Sequence, residues 1–271
     1  MPFTPLSKVF STMSSLPQLI LCLLLLCTQV LAFAQSSPNT PDSSTPRSNS
    51  MTPAEAQAHF APWITEGWQL ELYRTGDLNH NGQQDTLLVL LEDDPNKLIA
   101  HQDNDDAPPL NVNSRRLIIL IGSASGDQLL ISRDDFLPPP ANADAPCLAD
   151  PLDDIQLHSG ALLIQLRYFL SCGSNWTASQ TLHFVMVEDR LRLAEYRYFG
   201  FSRYHGEVTH FTLDYLTSTL HRTLNENVFE DTKVTIENLP LSPLPPFYLE
   251  HINLICDQPA APACAWSRAG Q

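Results

Sequence analysis

The chain has 271 residues, with 30 acidic against 15 basic side chains and a formal net charge of −15. That balance opposes binding to DNA, RNA or anionic lipid and suits divalent cations or cationic partners. No basic stripe interrupts it.

One cation, Lys8, precedes an uncharged stretch over 9–34 whose densest part, 19–27, is wholly apolar. The stretch is broken by Thr28 and Gln29 and ends in Ala32-Phe33-Ala34, so it reads as a secretory leader of bacterial type cleaved before Gln35, with 1–34 removed. Cys22 and Cys27 both follow Leu, which argues against lipid attachment. The alternative is an uncleaved N-terminal anchor, which the short, interrupted run disfavours. Residues 35–50 are Ser, Pro, Thr and Asn with little charge, a composition that buries no core and reads as a disordered tether. The expected location is therefore periplasmic or secreted, with no membrane span after cleavage.

Residues 51–271 are expected to form a single β-rich domain with a Pro-rich C-terminal tail. Thr52-Pro53-Ala54-Glu55 is a capping box that predicts a short helix ended by Pro62. Alternation and short β-branched or leucine runs then predict strands at 68–74, 86–91, 116–121, 128–132, 155–158, 162–169, 180–187, 192–201, 207–214, 217–223 and 232–237. Turn chemistry at Ser159-Gly160, at Glu188-Asp189 and over 123–127 is short enough for hairpins, hence antiparallel pairing. The fold class expected is all-β, antiparallel sheets arranged as a sandwich or as partial propeller-like blades, with one short N-terminal helix. The Pro-rich stretches 138–146 and 240–246 read as ordered crossings over the surface.

Cys147, Cys172, Cys256 and Cys264 survive cleavage, an even number that suggests two disulfides in an oxidising compartment. Four cysteines allow three pairings. Cys147 with Cys172 and Cys256 with Cys264 are favoured, the first tying the loop before one strand to the hairpin end after it. A zinc site is the weaker reading, because no C-x-x-C pair exists.

The most specific pattern is Gly76-Asp77-Leu78-Asn79-His80-Asn81-Gly82-Gln83-Gln84-Asp85, set between two predicted strands. Oxygens of Asp77, Asn79 and Asn81 at alternate positions converge on one hard cation if the loop reverses at the sixth, where Gly82 stands. The Gln83 carbonyl and Asp85 complete the candidate set, with calcium as the cofactor. Leu88 occupies the place of the bidentate Glu of an EF-hand, so the loop is of another kind. The competing reading is an Asx-stabilised turn without metal.

From Gly67-Trp68 to Glu92 the chain resembles secreted bacterial proteins with FG-GAP or VCBS-like repeats, whose strand-loop-strand units carry a GDLNGDGxxD segment. The resemblance covers about a tenth of the chain. It implies calcium at Asp77, Asn79, Asn81, the Gln83 carbonyl and Asp85.

Other constellations carry less. Glu92, Asp93, Asp94, Asp103, Asp105 and Asp106 read as a solvated loop or as an extension of the cation site. The pairs Asp134-Asp135 and Asp153-Asp154 lie in polar loops, and Gly122-Ser123-Ala124-Ser125-Gly126 reads as a turn, not a nucleophile elbow. His205 and His210 read as surface or packing residues. Asn175-Trp176-Thr177 is a glycosylation sequon that matters only in a host with that machinery. Tyr196, Tyr198, Phe199, Phe201 and Tyr204 form an aromatic-rich strand whose alternate members pack inward while the others face out. No residue is assigned a catalytic role. The expected function is an exported, calcium-stabilised binding or scaffolding protein with a protein or envelope polymer as partner. An acidic inhibitor or immunity-type protein for a cationic enzyme is the alternative, and a secreted hydrolase is a weaker one.

Overall fold

The structure, a computed structural model, describes residues 51–101, 106–173 and 175–252. The leader, the tether, Asp103, Asp105, Cys256 and Cys264 lie outside the described residues.

The capping box forms as the sequence predicts. Thr52 and Glu55 bond reciprocally at the start of α1 (Pro53–His59). A 3-10 turn at Ala61–Trp63, with Pro62 inside it, ends the helix. Ala56 and Phe60, one helical turn apart, are buried.

Six strands follow: β1 (Trp68–Gly76), β2 (Asp85–Glu92), β3 (Leu98–Ile99), β4 (Leu110–Asn111), β5 (Arg115–Ile121) and β6 (Gln128–Arg133). They make a four-stranded antiparallel sheet in the order β1-β2-β5-β6, with β3 and β4 pairing separately. The remaining seven are β7 (Leu152–His158), β8 (Ala161–Phe169), β9 (Trp176–Val187), β10 (Arg190–Ser202), β11 (Val208–Asp214), β12 (Thr219–Leu224) and β13 (Thr235–Pro240). They form one antiparallel meander in chain order. The all-β, antiparallel expectation is met, and neither sheet closes into a barrel.

Period-two alternation explains the layers. Leu87, Val89, Leu117 and Ile119 share a core with Ile155, Leu162, Ile164, Leu182 and Phe184 of the larger sheet. The intervening Leu88, Leu90, Ile118 and Leu120 pack on Ala56 and Phe60. The two sheets therefore lie face to face, and α1 covers the outer face of the smaller one. Because β2 is buried on both faces, its sequence is a continuous apolar run.

The Pro-rich stretches are ordered crossings. The Pro138 carbonyl accepts from Arg115, and Leu241, Leu244 and Phe247 pack against the core. The strand predicted at 232–237 instead spans 235–240. Residues before it are held by local side-chain bonds: the Phe229 amide donates to Asn227 Oδ1 at 2.8 Å, and Thr232 Oγ1 donates to the Asn225 carbonyl. Such bonds compete with the ladder for the backbone.

Cys147 and Cys172 are joined, with Cα atoms 5.6 Å apart and a sequence separation of 25. The bridge ties the entry to β7 to the exit of β8, beside the backbone bond from Ser171 to Cys147 at 3.0 Å. Replacing both cysteines with Ala is expected to lower the unfolding free energy by about 3 kcal/mol, since the freed loop gains entropy mainly in the unfolded chain. A lower unfolding free energy extrapolated from urea denaturation, with a slope that rises as the unfolded chain expands, checks this.

Candidate functional site

The 77–85 loop joins β1 to β2 where the two sheets meet. Two buried residues anchor it: Leu78 and Asp85 are both 0 % exposed. Leu78 enters the shared core. The Asp85 carboxylate accepts the Leu78 amide at Oδ2, 2.6 Å away, and the Gly122 amide at Oδ1, 2.8 Å away. One acid thus closes its own loop and fastens it to the end of β5. Gly122 is required there, because a Cβ would fall 2.2 Å from the Gln84 carbonyl oxygen.

The larger sheet grips the loop from the other side. The Gly160 amide donates to the Asp77 carbonyl at 2.9 Å, and Ser159 Oγ lies 3.2 Å from His80 Nδ1. Both residues belong to the β7–β8 turn. His80 and Gly82 take left-handed conformations, with φ of 59° and 78°, so the reversal at Gly82 occurs as the spacing predicts.

The outer rim is an Asx network. Asp77 Oδ1 accepts the Asn81 amide at 3.1 Å and Asn79 Oδ1 accepts the same amide at 3.2 Å. Asp77 Oδ2 accepts from the Gly82 amide at 3.0 Å. Asn81 Oδ1 accepts from the Gln83 amide at 2.7 Å, while Asn81 Nδ2 donates to the Gly122 carbonyl at 3.0 Å. Two side-chain oxygens therefore converge on one point. Each carboxylate or amide oxygen that takes one N–H keeps a second acceptor direction. The donor set is all oxygen, with two carboxylates and two neutral amides, which fits the ligand chemistry of a hard cation. Among the described residues no group of three or more His, Cys, Asp or Glu stands together as a metal cluster. The loop's own residues of these types are Asp77, His80 and Asp85, of which only the two aspartates offer oxygen, so its character comes from Asn and backbone oxygens.

The other acidic pairs face arginines. Asp134 meets Arg116 at 3.3 Å, Asp135 meets Arg133 at 2.7 Å, Asp153 meets Arg167 at 3.1 Å and Asp154 meets Arg74 at 3.5 Å. The Arg133 hydrogen bond holds the Asp135 carboxyl below its usual range. In the acidic segment Glu92 pairs with Lys97 at 2.5 Å, and Asp94 Oδ1 accepts the Asn96 amide at 2.9 Å. Residues 122–126 form the β5–β6 turn, where Ser123 Oγ donates to the Gly126 carbonyl at 2.6 Å. Asn175 Oδ1 accepts from Ser202 Oγ and from the Tyr204 amide, so the sequon asparagine braces the β10–β11 turn.

The aromatic strand alternates as expected. Tyr196 is buried, Tyr198 packs against the core, and Phe199 and Tyr204 are exposed. Burial pushes the Tyr196 phenol well above its usual range, and it also raises those of Tyr168, Tyr198 and Tyr215.

A constellation that the sequence reading missed lies at the other end of β5. Arg115 is 2 % exposed. Its Nε and Nη2 donate to Glu71 at 2.7 and 2.6 Å, and Nη1 and Nη2 donate to Asp150 at 2.7 and 2.5 Å. Burial alone would lower its pKa, but the bonds it donates to Asp150 and Glu71, together with their charges, outweigh this and raise it. The one signal available was an arginine opening the apolar run of β5.

No protein-family model matches the chain, and neither a curated protein nor a solved structure matches it.

Proposed function

We propose that the protein is an exported, calcium-stabilised binding or scaffolding module whose partner is a protein or an envelope polymer. The observation that carries the reading is the convergence of Asp77 and Asn79 oxygens on one amide, within a loop fastened to both sheets. A cation there would draw together β1, β2, the end of β5 and the β7–β8 turn. The likeness of the 67–92 segment to FG-GAP and VCBS-like units supports calcium as the ion. The Cys147–Cys172 bridge suits an oxidising compartment. Among the described residues no helix is long and apolar enough to cross a membrane. The net charge of −15 leaves an acidic inhibitor of a cationic enzyme as the second reading. Salt-sensitive capture of a basic enzyme with loss of that enzyme's activity would favour it.

The metal part of the proposal is tested by thermal melting in chelator, calcium or magnesium. Free calcium at about 100 times its dissociation constant is expected to add about 2.7 kcal/mol. In a domain of this size that corresponds to a rise of roughly 5–10 °C. Magnesium does less, because its small octahedral shell suits the loop poorly. Asp77→Ala abolishes the calcium shift, and equal melting of the natural chain in chelator and in calcium at tens of millimolar would refute the assignment.

A further inference from the structure

We infer that β13 is a self-complementary edge through which two copies of this chain pair, antiparallel and two-fold symmetric, into one continuous sheet. The inference is independent of the calcium reading. β13 ends the seven-stranded sheet, and among the described residues nothing pairs with its outer side. Ile236 is 74 % exposed and Val234 46 %. An open edge carrying exposed β-branched residues is a template for another strand.

The hydrogen-bond phase shows which backbone groups are free. β12 and β13 pair Thr219 with Pro240 through Leu224 with Thr235 without a register shift. The Leu241 amide continues that register by donating to the Ser218 carbonyl at 2.8 Å. In an antiparallel ladder the bonded pairs alternate. Leu239, Glu237 and Thr235 therefore bond inward to β12, while Asn238 and Ile236 aim their N–H and C=O groups outward. Pro240 falls in the outward set, where its missing N–H costs the ladder nothing.

Only some registers satisfy a second copy. With the two-fold axis at Thr235, Ile236 faces Val234 of the other chain, one residue before β13 begins. Once the strand extends to Val234 on pairing, this is a bonded pair in which outward groups meet outward groups. Lys233 then faces Glu237, and by symmetry Glu237 faces Lys233. Both charge pairs fall at non-bonded positions, where side chains lie closest. Glu237 already meets Arg222 at 2.8 Å, so it would sit between two cations. On the opposite face a cross-strand row runs through Phe199, His210, Thr223 and Ile236. Val234 of the second copy extends that row and covers Ile236. Lys233, which alone would guard the edge, becomes an attractive group in this register. The contact is a single strand pair, below the area of a standard permanent interface, so the dimer is concentration-dependent.

The test is sedimentation velocity on the full chain, expressed with its leader so that it is processed as in the cell. The apparent mass is expected to rise toward twice the monomer with concentration. Lys233→Glu and Glu237→Lys, each alone, place like charges opposite one another twice and raise the dissociation constant by about tenfold or more. An equimolar mixture of the two restores the dimer as a mixed species, since every facing pair then joins opposite charges. Ile236→Pro removes an outward N–H while sparing the bonds to β12, and it is expected to abolish dimerisation with the melting transition retained. Protection of the Ile236 and Asn238 amides from hydrogen exchange should grow with concentration in the natural chain. A natural chain that stays monomeric at all concentrations overturns the proposal. So does a dimer indifferent to both charge reversals, or a mixture that remains monomeric while each variant melts as the natural chain does.

Discussion

Asp85→Ala is expected to lower the unfolding free energy by about 3–5 kcal/mol, because it strips a charged acceptor from two backbone amides in a buried place. The carboxylate takes Leu78 N–H and Gly122 N–H, and the residue has no exposed surface. After the change both donors are left in a buried place without the lost partner. The loss should persist in chelator, since neither bond needs a metal. Asp77→Ala gives the contrasting pattern. Its amide partners, Asn81 and Gly82, are on the exposed rim, so the loss in chelator should stay near or below about 1 kcal/mol and grow only when calcium is added. Urea unfolding of the two variants, each with and without calcium, measures all four quantities.

Arg115→Leu is expected to cost about 2–4 kcal/mol. The substitution keeps apolar bulk but leaves Glu71 and Asp150 together without their common cation, and it orphans the Pro138 carbonyl. The figure lies toward the lower part of the range for fully buried pairs because the side chains of Glu71 and Asp150 are 25 % and 42 % exposed. Water can therefore reach the stranded carboxylates. Arg115→Lys should recover only part of the loss, because a single ammonium cannot reproduce the four donor contacts that the planar guanidinium makes to two carboxylates. Equilibrium urea unfolding of both variants checks the order, natural chain above Lys above Leu.

These two residues also show where sequence reasoning stops. Local chemistry was legible: the Thr52–Glu55 box, the reversal at Gly82, the Asx bonds of Asp77 and Asn79, and the alternation that sends Tyr196 inward and Phe199 outward all depend on neighbours a few positions away. The Cys147–Cys172 pairing was legible because a single predicted hairpin separates the two residues. Asp85 reads from spacing as the last ligand of a cation loop. Its partner at Gly122 is 37 positions away, and nothing local predicts it. Arg115 lies 44 positions from Glu71 and 35 from Asp150, so its triad exists only once β5 has found β1 and the crossing before β7. The layer order was hidden for a related reason. The apolar run of β2 shows that both its faces are covered, but not that the larger sheet covers one and α1 the other.

Calorimetric titration of calcium into chelator-treated protein is the most direct test of the proposed calcium site at the 77–85 loop. A single site is predicted, with a dissociation constant of about 10⁻⁴–10⁻³ M, since only Asp77 and Asp85 bring charge to it. The heat of binding should vanish in Asp77→Ala. Heats no greater than dilution for the natural chain, or an unchanged isotherm for Asp77→Ala, would contradict the claim and leave the loop a metal-free Asx turn.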